Sequence, residues 1–453
     1  MRRTSAWVCV AAAQFSCALI AAAPLSATEE QITERVFLVR DKPGTQTHFH
    51  MIVLAGCGDE ADGQCQGMAH YLEHLVLGGR NREHSDIAVR LFPDAYSNGW
   101  TTMHATAYVH SVPAREAGPK ADLEKLFTFY AARLRDFAMG EAEAVRERNV
   151  VLQEHDWRVT SSPLRRFERR LDRELLPNHP MGQWTIGTKE SIDKLTLANA
   201  QSFHRTWYAI NNSYFAIRAD ISADELKGIA ERALTGLTPK QLPARTAAMR
   251  QPDIAAERRD FRESDTQVKR ASVIYRKLVR MEDSDSQPQR AARLVVGNFL
   301  RSRLPGSPYH ALVETARLAA DAPAISIDRV APKSITLRFA AEVAPDAEPE
   351  ALLAAIAKYV DGLASVPLSA DVIARLKNRI IAGRANEEQD PALVYNRLIS
   401  WLAARNVYKD LRSWSERIAA VSQADVSQTL LSLSAPGKVV TGTLLPATEE
   451  AQK

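Results

Sequence analysis

The sequence has few cysteines, little net charge and no long apolar run beyond its first residues. Only four of its 453 residues are Cys, and 58 Lys and Arg stand against 54 Asp and Glu, which gives a formal net charge of +4. So small a charge does not predict nucleic-acid binding. After the N-terminal segment no run of about 18 apolar residues occurs, so we expect no stable membrane insertion. The composition, 45% hydrophobic and 25% charged, is typical of a globular protein.

Residues 1–27 have the pattern of a secretory signal peptide. Arg2 and Arg3 form a charged start, an Ala-rich apolar stretch runs to Ile20, and the small residue Ala27 ends the segment. The alternative is an N-terminal membrane anchor, but the apolar stretch is short for a span and is interrupted by polar residues. We therefore expect an exported, periplasmic protein.

The use of cysteine agrees with export. Cys9 and Cys17 belong to the predicted leader, which leaves Cys57 and Cys65 in the mature chain. These two flank a short polar segment, so they can close one disulfide-bonded loop in an oxidising compartment. The alternative, metal ligation by the two thiols, requires further ligands of its own.

The hydrophobic pattern divides the mature chain into two halves of similar order. The first half opens with a predicted hairpin of strands 36–39 and 49–54, and its other elements are helices at 67–77, 121–138, 140–158 and 162–175 and a strand at 213–221. The second half repeats the plan, with strands at 268–276, 335–343 and 438–445 and helices at 286–302, 348–363 and 369–385.

This order of elements predicts an α+β protein. We expect two tandem, structurally similar α/β-sandwich domains, each a sheet packed on helices, related by pseudo-symmetry. The N-terminal domain spans 28–240 and the C-terminal domain spans 261–453. A linker over 241–260 is indicated by several prolines among polar residues without an apolar period.

The segment from His70 to His74 carries a pattern with specific chemistry. Its composition suits a helix, and the spacing i, i+3, i+4 places His70, Glu73 and His74 on one face. Two imidazoles one turn apart can reach a single zinc ion, with Glu73 beside the open position to activate a water. This is the H-x-x-E-H order of the inverted zincins. A plain core helix is disfavoured, because it would bury polar groups that need partners.

A catalytic zinc ion normally takes a third protein ligand, for which the predicted helix 140–158 is the best source. Glu147 and Glu154 are seven residues apart and therefore share a face, so one could bind metal while the other supports it. Spacing alone does not choose the ligand among Glu143, Glu147, Glu154, His155 and Asp156.

The chain resembles the family of pitrilysin, the insulin-degrading enzymes and the mitochondrial processing peptidases. The resemblance rests on the H-x-x-E-H motif after an acidic residue like Glu60, and on the later block Glu147-Arg148-Asn149-x-x-x-x-Glu154. It implies that Glu154 is the third zinc ligand and Glu147 the supporting carboxylate. A further block from Asn98 to Tyr108 resembles the family's N-A-x-T-x-x-x-x-T-x-Y strand, which implies that Asn98 contacts substrate backbone.

The sequence departs from the family in its second half. Active single-chain members carry an Arg and a Tyr that hold the substrate over the zinc, where our preferred alignment places Val313 and Ala320. An alternative alignment uses Arg301 or Arg303 with Tyr309. If the pair is missing, the resemblance implies a two-chain enzyme, either a homodimer or a heterodimer with a sister chain that supplies this substrate clamp.

The expected function is zinc-dependent endopeptidase activity on peptides or unfolded segments, with one Zn²⁺ per chain. Glu73 would take a proton from the attacking water and deliver it to the leaving amine. One alternative is a zinc-bearing but non-catalytic binding or assembly subunit. Another is a structural zinc site, which would require a fourth protein ligand. The nitrogen and oxygen ligands would also accept manganese or cobalt.

Overall fold

The computed structural model describes residues 28–78, 92–137, 139–245, 250–282, 284 and 286–447. The predicted leader, residues 1–27, lies outside the described residues. Within these ranges, no helix is both long and apolar enough to cross a membrane.

The described strands form two sheets. The first contains β1 to β6, with bounds Glu29–Gln31, Val36–Arg40, Thr47–Val53, Tyr96–Thr101, Thr106–Val112 and Ser213–Ala219. The second contains β7 to β11, with bounds Arg258–Asp265, Ser272–Arg280, Ala324–Ala331, Ser334–Glu342 and Lys438–Pro446. The strand order is β1-β2-β6-β3-β5-β4 in the first sheet and β7-β11-β8-β10-β9 in the second.

The two sheets follow the same plan once β1 is set aside. In each, the first strand pairs in parallel with the last strand of its half, β2 with β6 and β7 with β11. The other neighbours are antiparallel, so β3 corresponds to β8 and β4 corresponds to β9. The prediction of two similar α+β domains related by pseudo-symmetry is confirmed.

In both halves a helix follows the second long strand, and a series of helices precedes the last strand; the first half has one more helix after its last strand. In the first half, α1 to α7 span Met68–Gly78, Lys120–Arg135, Glu141–His155, Pro163–Leu175, Lys189–Ile192, Leu197–Trp207 and Ala223–Leu234. In the second half, α8 to α14 span Gln287–Leu300, Pro349–Asp361, Ala370–Glu387, Pro391–Ala403, Tyr408–Arg412, Trp414–Ala419 and Gln423–Ser434. Several begin where the sequence offers a capping serine, as at Ser222 and Ser286. The helix predicted at 140–158 is α3 followed by a π-helical turn over Asp156–Thr160.

The predicted hairpin of the first two strands is wrong. Strand β6 lies between β2 and β3, parallel to the former and antiparallel to the latter. Both β2 and β3 are buried along nearly their whole length, so each needs a neighbour on both sides. A local turn signal cannot reveal a partner strand that is distant in sequence.

The strands around the predicted linker were only partly anticipated. Strand β7 begins at Arg258, inside the predicted linker 241–260, and reads Arg-Arg-Asp-Phe-Arg-Glu-Ser-Asp. It is a largely exposed end strand, so it has no apolar run that would mark it in the sequence. Strand β9 was not predicted, and β8 begins four residues later than the predicted strand 268–276.

One helix from each half packs on the sheet of the other half. Helix α4 packs on the second sheet, where Phe167 and Leu171 share a buried cluster with Ile274 and Val440. Helix α11 packs on the outer face of the first sheet through a cluster that includes Phe37, Ile52, Ala107, Ala216, Tyr395, Leu398 and Leu402. Burying one such large apolar side chain contributes about 1.5–3 kcal/mol. The two halves are therefore joined by apolar packing in both directions.

A buried ion cluster also joins the halves. The Asp59 side chain is 1% exposed and accepts from Arg245 at 3.1 Å and from Arg405, which follows α11. Its Oδ2 atom also accepts the Gly56 backbone N–H at 2.9 Å. Asp59 lies in the loop closed by the Cys57–Cys65 disulfide, whose S–S distance is 2.04 Å. This loop therefore ties the entry to α1 to the second half of the chain.

Candidate metal centre

Contacts with Gly67 and Glu60 hold the N-terminus of helix α1 in place, ahead of the candidate metal ligands in the chain. Gly67 precedes it with φ of +93°, and a Cβ there would lie 2.5 Å from the Ile186 carbonyl oxygen, so a larger residue does not fit. The buried Glu60 carboxylate accepts the backbone N–H groups of Gln66 at 2.6 Å and Ala69 at 2.9 Å. The Glu60 side chain thus satisfies the free Ala69 donor in the first turn of the helix and the Gln66 donor just before it.

The three predicted metal ligands come together between α1 and α3. Glu154 Oε2 lies 3.5 Å from His70 Nε2 and 3.2 Å from His74 Nε2. One ligand atom from each of the three residues lies within 4.8 Å of the others. The Arg158 guanidinium holds the other carboxylate oxygen of Glu154 at 2.8 Å, one turn further along the chain.

The geometry fits a zinc ion. Two ligands bound at about 2.0–2.2 Å in a tetrahedral site lie about 3.3–3.6 Å apart. The separations of Glu154 Oε2 from the two imidazole nitrogens, 3.5 and 3.2 Å, are close to this value. Glu154 Oε2 is buried without a hydrogen-bond partner among the described atoms, although a carboxylate oxygen in such a place normally has one. Two imidazole nitrogens and one carboxylate oxygen are the donor set of a catalytic zinc site with an open fourth position.

The structure separates the alternatives that spacing left open on α3. Glu143 pairs with Arg146 at 3.5 Å, and Asp156 pairs with Lys189 at 2.5 Å. Glu154 is the residue of this group that faces both imidazoles. Glu147 lies on the same side, with Oε2 3.6 Å from His74 Nδ1. It can therefore orient the His74 ring and raise its basicity as a ligand.

The charges of the four groups differ because their surroundings differ. Burial lowers the pKa of His70 to about 4 and raises that of Glu73 to about 7. Burial also acts to lower the pKa of His74, but the nearby carboxylates of Glu147 and Glu154 outweigh it and raise the pKa to about 9. Although burial opposes the change, His74, His70 and Arg158 hold the pKa of Glu154 below its ordinary value.

Glu73 has a positioning partner that the sequence analysis did not identify. The Thr101 hydroxyl on β4 donates to Glu73 Oε2 at 2.6 Å. Strand β4 can approach α1 this closely because the residue two positions before Thr101 is Gly99. A Cβ at Gly99 would lie 2.6 Å from Glu73 Oε1. The signal lies in the block from Asn98 to Tyr108, where Thr101 matches the first threonine of the family's pattern and Gly99 stands at its alanine position.

Asn98 lies on β4, the end strand of the first sheet. Its side chain donates to the Tyr96 hydroxyl at 2.6 Å and accepts from the Gly99 backbone N–H at 2.8 Å. It lines the same cavity as His70 and Glu73. An end strand presents backbone donors and acceptors to which an extended peptide can pair.

A cavity of about 1080 Å³ opens over the candidate metal centre. Its described lining residues all lie between His70 and Ile186, so those described in the second half add none. Val313 packs partly buried against the second core, and Ala320 donates its backbone N–H to Glu342. In the alternative alignment, the Arg303 guanidinium lies 4.4 Å from the centre of the Tyr309 ring.

An H-x-x-E-H helix that faces a glutamate on a second helix is the arrangement of the inverted zincin class of peptidases. The matches of this chain support the M16 peptidase family, the family of pitrilysin and insulinase. The matching family model is described as the peptidase M16 inactive domain and covers residues 194–380, a range that contains neither Glu73 nor any of the three candidate metal ligands.

One curated relative is a zinc protease, and solved structures of proteases share the fold. The zinc protease PqqE of Helicobacter pylori is 26% identical over 224 residues, which cover 46% of this chain and 49% of that protein. The structure of a protease from Helicobacter pylori superposes with a TM-score of 0.75 at 20% identity, covering 93% of this chain and all of that one. The periplasmic protease PqqL from Escherichia coli gives 0.73 at 17% identity, covering 95% of this chain but 48% of that one.

Proposed function

We propose that this protein is a zinc-dependent endopeptidase that hydrolyses peptides or unfolded segments. The observation that carries the proposal is the convergence of His70, His74 and Glu154 beside a buried Glu73 on one cavity wall. In this proposal residues 28–240 form the zinc-binding domain, 241–260 the linker and 261–453 the second, peptidase-like domain.

The metal ligands, the general base and its hydrogen-bond partner have separate roles in this proposal. When bound by His70, His74 and Glu154, zinc supplies a Lewis acid that polarises a carbonyl and lowers the pKa of a water toward about 7. Glu73 takes the proton of the attacking water and returns it to the leaving amine. In the metal-free site burial raises the pKa of Glu73 to about 7, so this carboxyl group can both accept and donate a proton near neutral pH. Thr101 holds the carboxylate in place.

Substrate binding is proposed to use the end strand β4. An extended peptide can add to this strand, with main-chain hydrogen bonds providing affinity and Asn98 contacting its backbone. Main-chain pairing selects little by side chain, so broad peptide specificity is the expected behaviour.

The active unit is proposed to contain two chains. The described lining of the cavity comes from the first half alone, and the expected substrate clamp is replaced by Val313 and Ala320 in our preferred alignment. The Escherichia coli neighbour is about twice as long, as expected if one long chain replaces a pair of short ones. A second copy or a sister chain would then supply the clamp.

Export to the periplasm is also part of the proposal. The signal pattern of residues 1–27 supports it, as does the Cys57–Cys65 disulfide, which persists in an oxidising compartment. The Escherichia coli neighbour is a periplasmic protease.

A second candidate is a zinc-bearing subunit that binds peptide without cleaving it. The match of residues 194–380 to an inactive domain and the missing clamp favour it, whereas Glu73 in position beside the metal ligands opposes it. The test is cleavage of a quenched peptide library by the zinc-loaded mature chain, alone and with a sister chain. Activity alone supports a self-sufficient enzyme, activity only with the partner supports the two-chain enzyme, and no activity with zinc bound supports the binding subunit.

A further inference from the structure

Arg158 contacts the candidate metal ligand Glu154 at the carboxylate oxygen that does not face the imidazoles. Its Nε atom lies 2.8 Å from Glu154 Oε1, whereas Glu154 Oε2 lies 3.5 Å from His70 Nε2 and 3.2 Å from His74 Nε2. Both Arg158 and Glu154 line the cavity over the candidate metal centre. Arg158 lies outside the H-x-x-E-H motif and outside the block from Glu147 to Glu154, so neither motif assigns it a role.

The two oxygens of the Glu154 carboxylate have different surroundings. Oε1 is paired with the guanidinium of Arg158, and Oε2 is buried without a hydrogen-bond partner among the described atoms. A carboxylate can bind a metal ion through one oxygen or through both. Because the guanidinium occupies Oε1, one oxygen of Glu154 is left for a metal ion.

The backbone that carries Arg158 is held by contacts from two neighbouring helices. Arg158 lies in the π-helical turn Asp156–Thr160 that follows α3. Its carbonyl oxygen accepts from the Arg165 guanidinium of α4 at 3.3 Å. In the same turn, the Asp156 carboxylate pairs with Lys189 of α5 at 2.5 Å. The guanidinium of Arg158 is therefore presented to Glu154 from a fixed position on the chain.

The contact between Arg158 and Glu154 differs from an ordinary surface ion pair. Pairs between two exposed side chains are weak, because water screens them and both side chains lose freedom. Here the Arg158 side chain is 55% exposed, but the Glu154 side chain is only 16% exposed. The anchored turn also reduces the freedom that Arg158 loses on pairing. The contact can therefore hold the orientation of the Glu154 carboxylate.

We infer that Arg158 is a positioning residue of the metal centre, which holds Oε1 of Glu154 off the metal and presents Oε2 as the single oxygen ligand. Residues that contact metal ligands orient them and tune the metal. A second oxygen on the metal would fill the position that a catalytic zinc site keeps open for water or substrate. The inference rests on the proposed metal site and adds to it a residue that acts through Glu154.

The test compares metal binding by the parent chain and three variants, each prepared free of metal. Arg158→Met removes the charge and keeps an unbranched side chain, and Arg158→Lys keeps a cationic donor. Arg146→Met is the matched control, because Arg146 lies on α3, is 56% exposed and pairs with Glu143 at 3.5 Å. Circular dichroism confirms that each variant is folded.

Arg158→Met should lower zinc affinity by about 10–100-fold, measured by competition with a chromophoric chelator, because the carboxylate loses its fixed orientation. At saturating cobalt, its visible absorption should lose intensity relative to the parent. The freed Oε1 joins the metal, and a cobalt ion with five ligands absorbs more weakly than one with four. Arg158→Lys should restore part of both properties, and Arg146→Met should match the parent in both.

The inference is overturned if Arg158→Met has the zinc affinity and the cobalt spectrum of the parent. It is also overturned if zinc affinity falls while the cobalt spectrum stays unchanged, or if Arg146→Met loses as much affinity, since either result indicates a general weakening of α3. These readouts require no turnover, so they decide the inference even if the metal-loaded parent cleaves no peptide. A parent that binds neither zinc nor cobalt would overturn the metal centre and the inference together.

Discussion

The Thr101 hydroxyl donates a 2.6 Å hydrogen bond to Oε2 of Glu73, across the gap between β4 and α1. This bond fixes the carboxylate proposed as general base and acts to lower its pKa, against the burial that raises it. The absence of a side chain at Gly99 allows the strand to approach the helix this closely.

Replacing this hydroxyl should change the pH dependence of catalysis. Thr101→Val removes the hydrogen bond that lowers the pKa of Glu73, so the pKa rises. Since the base acts in its ionised form, the acid limb of the kcat/KM profile should move to higher pH, with a rate loss of about tenfold at pH 7. Thr101→Ser keeps the hydroxyl and should retain the parent profile. An unmoved acid limb in Thr101→Val would show that the contact does not tune Glu73.

Zinc binding should depend most strongly on three side chains. Glu147→Ala should lower zinc affinity by about 10–100-fold, the loss typical of a supporting carboxylate. His70→Ala, His74→Ala and Glu154→Ala should each lower zinc affinity by more than this. Glu143→Ala is the control, because this glutamate lies on the same helix but pairs with Arg146. Competition with a chromophoric chelator measures each affinity. Parent-like zinc binding by Glu154→Ala would remove the proposed ligand set.

Much of the candidate metal centre could be predicted from the sequence because it is local. His70, Glu73 and His74 lie within two turns of one helix, so helical periodicity alone puts them on one face. The third ligand could not be chosen by periodicity, because it depends on how α3 packs against α1. The family resemblance supplied Glu154, and the structure places its carboxylate beside both imidazoles.

What the sequence missed depends on contacts between distant segments. The insertion of β6 between β2 and β3 and the packing of α11 on the first sheet leave no local pattern. Thr101 approaches Glu73 only because β4 lies beside α1 in three dimensions. The polar end strand β7 lacked the apolar alternation by which strands are recognised.

Zinc affinity should fall as the pH is lowered. In the metal-free site the pKa of His74 is raised to about 9, so this ring is protonated at neutral pH and must lose one proton to bind metal. His70, with a pKa lowered to about 4, is already neutral there. Between pH 8.5 and pH 6 the apparent zinc affinity should therefore fall about tenfold for each unit by which the pH is lowered. A flat profile over this range would contradict the protonated state of His74.

Removing the Glu147 carboxylate should shift this profile. Glu147→Gln takes away one of the groups that raise the pKa of His74, so the pKa falls and the affinity should level off at a lower pH than in the parent. The same chelator titrations provide the comparison. An unchanged profile would mean that Glu147 does not act on His74.

The ion cluster that joins the halves should contribute strongly to stability. Asp59→Ala leaves Arg245 and Arg405 without their buried carboxylate, and should lower the free energy of unfolding by about 3–5 kcal/mol. Asp371→Ala, at a side chain that is 76% exposed, is the control and should change it by less than about 0.5 kcal/mol. Urea unfolding followed by circular dichroism measures both. Equal stabilities would show that the cluster is energetically neutral.

The most direct test of the peptidase proposal compares the turnover of Glu73→Gln with that of the parent at equal zinc occupancy. Both are measured in the preparation in which the parent is active, either alone or with a sister chain. The proposal predicts one zinc ion bound per chain in both proteins and a loss of kcat by about 10²–10⁴-fold in the variant. Zinc-loaded Glu73→Gln protein that cleaves peptide at the parent rate would contradict the assignment of Glu73 as the base.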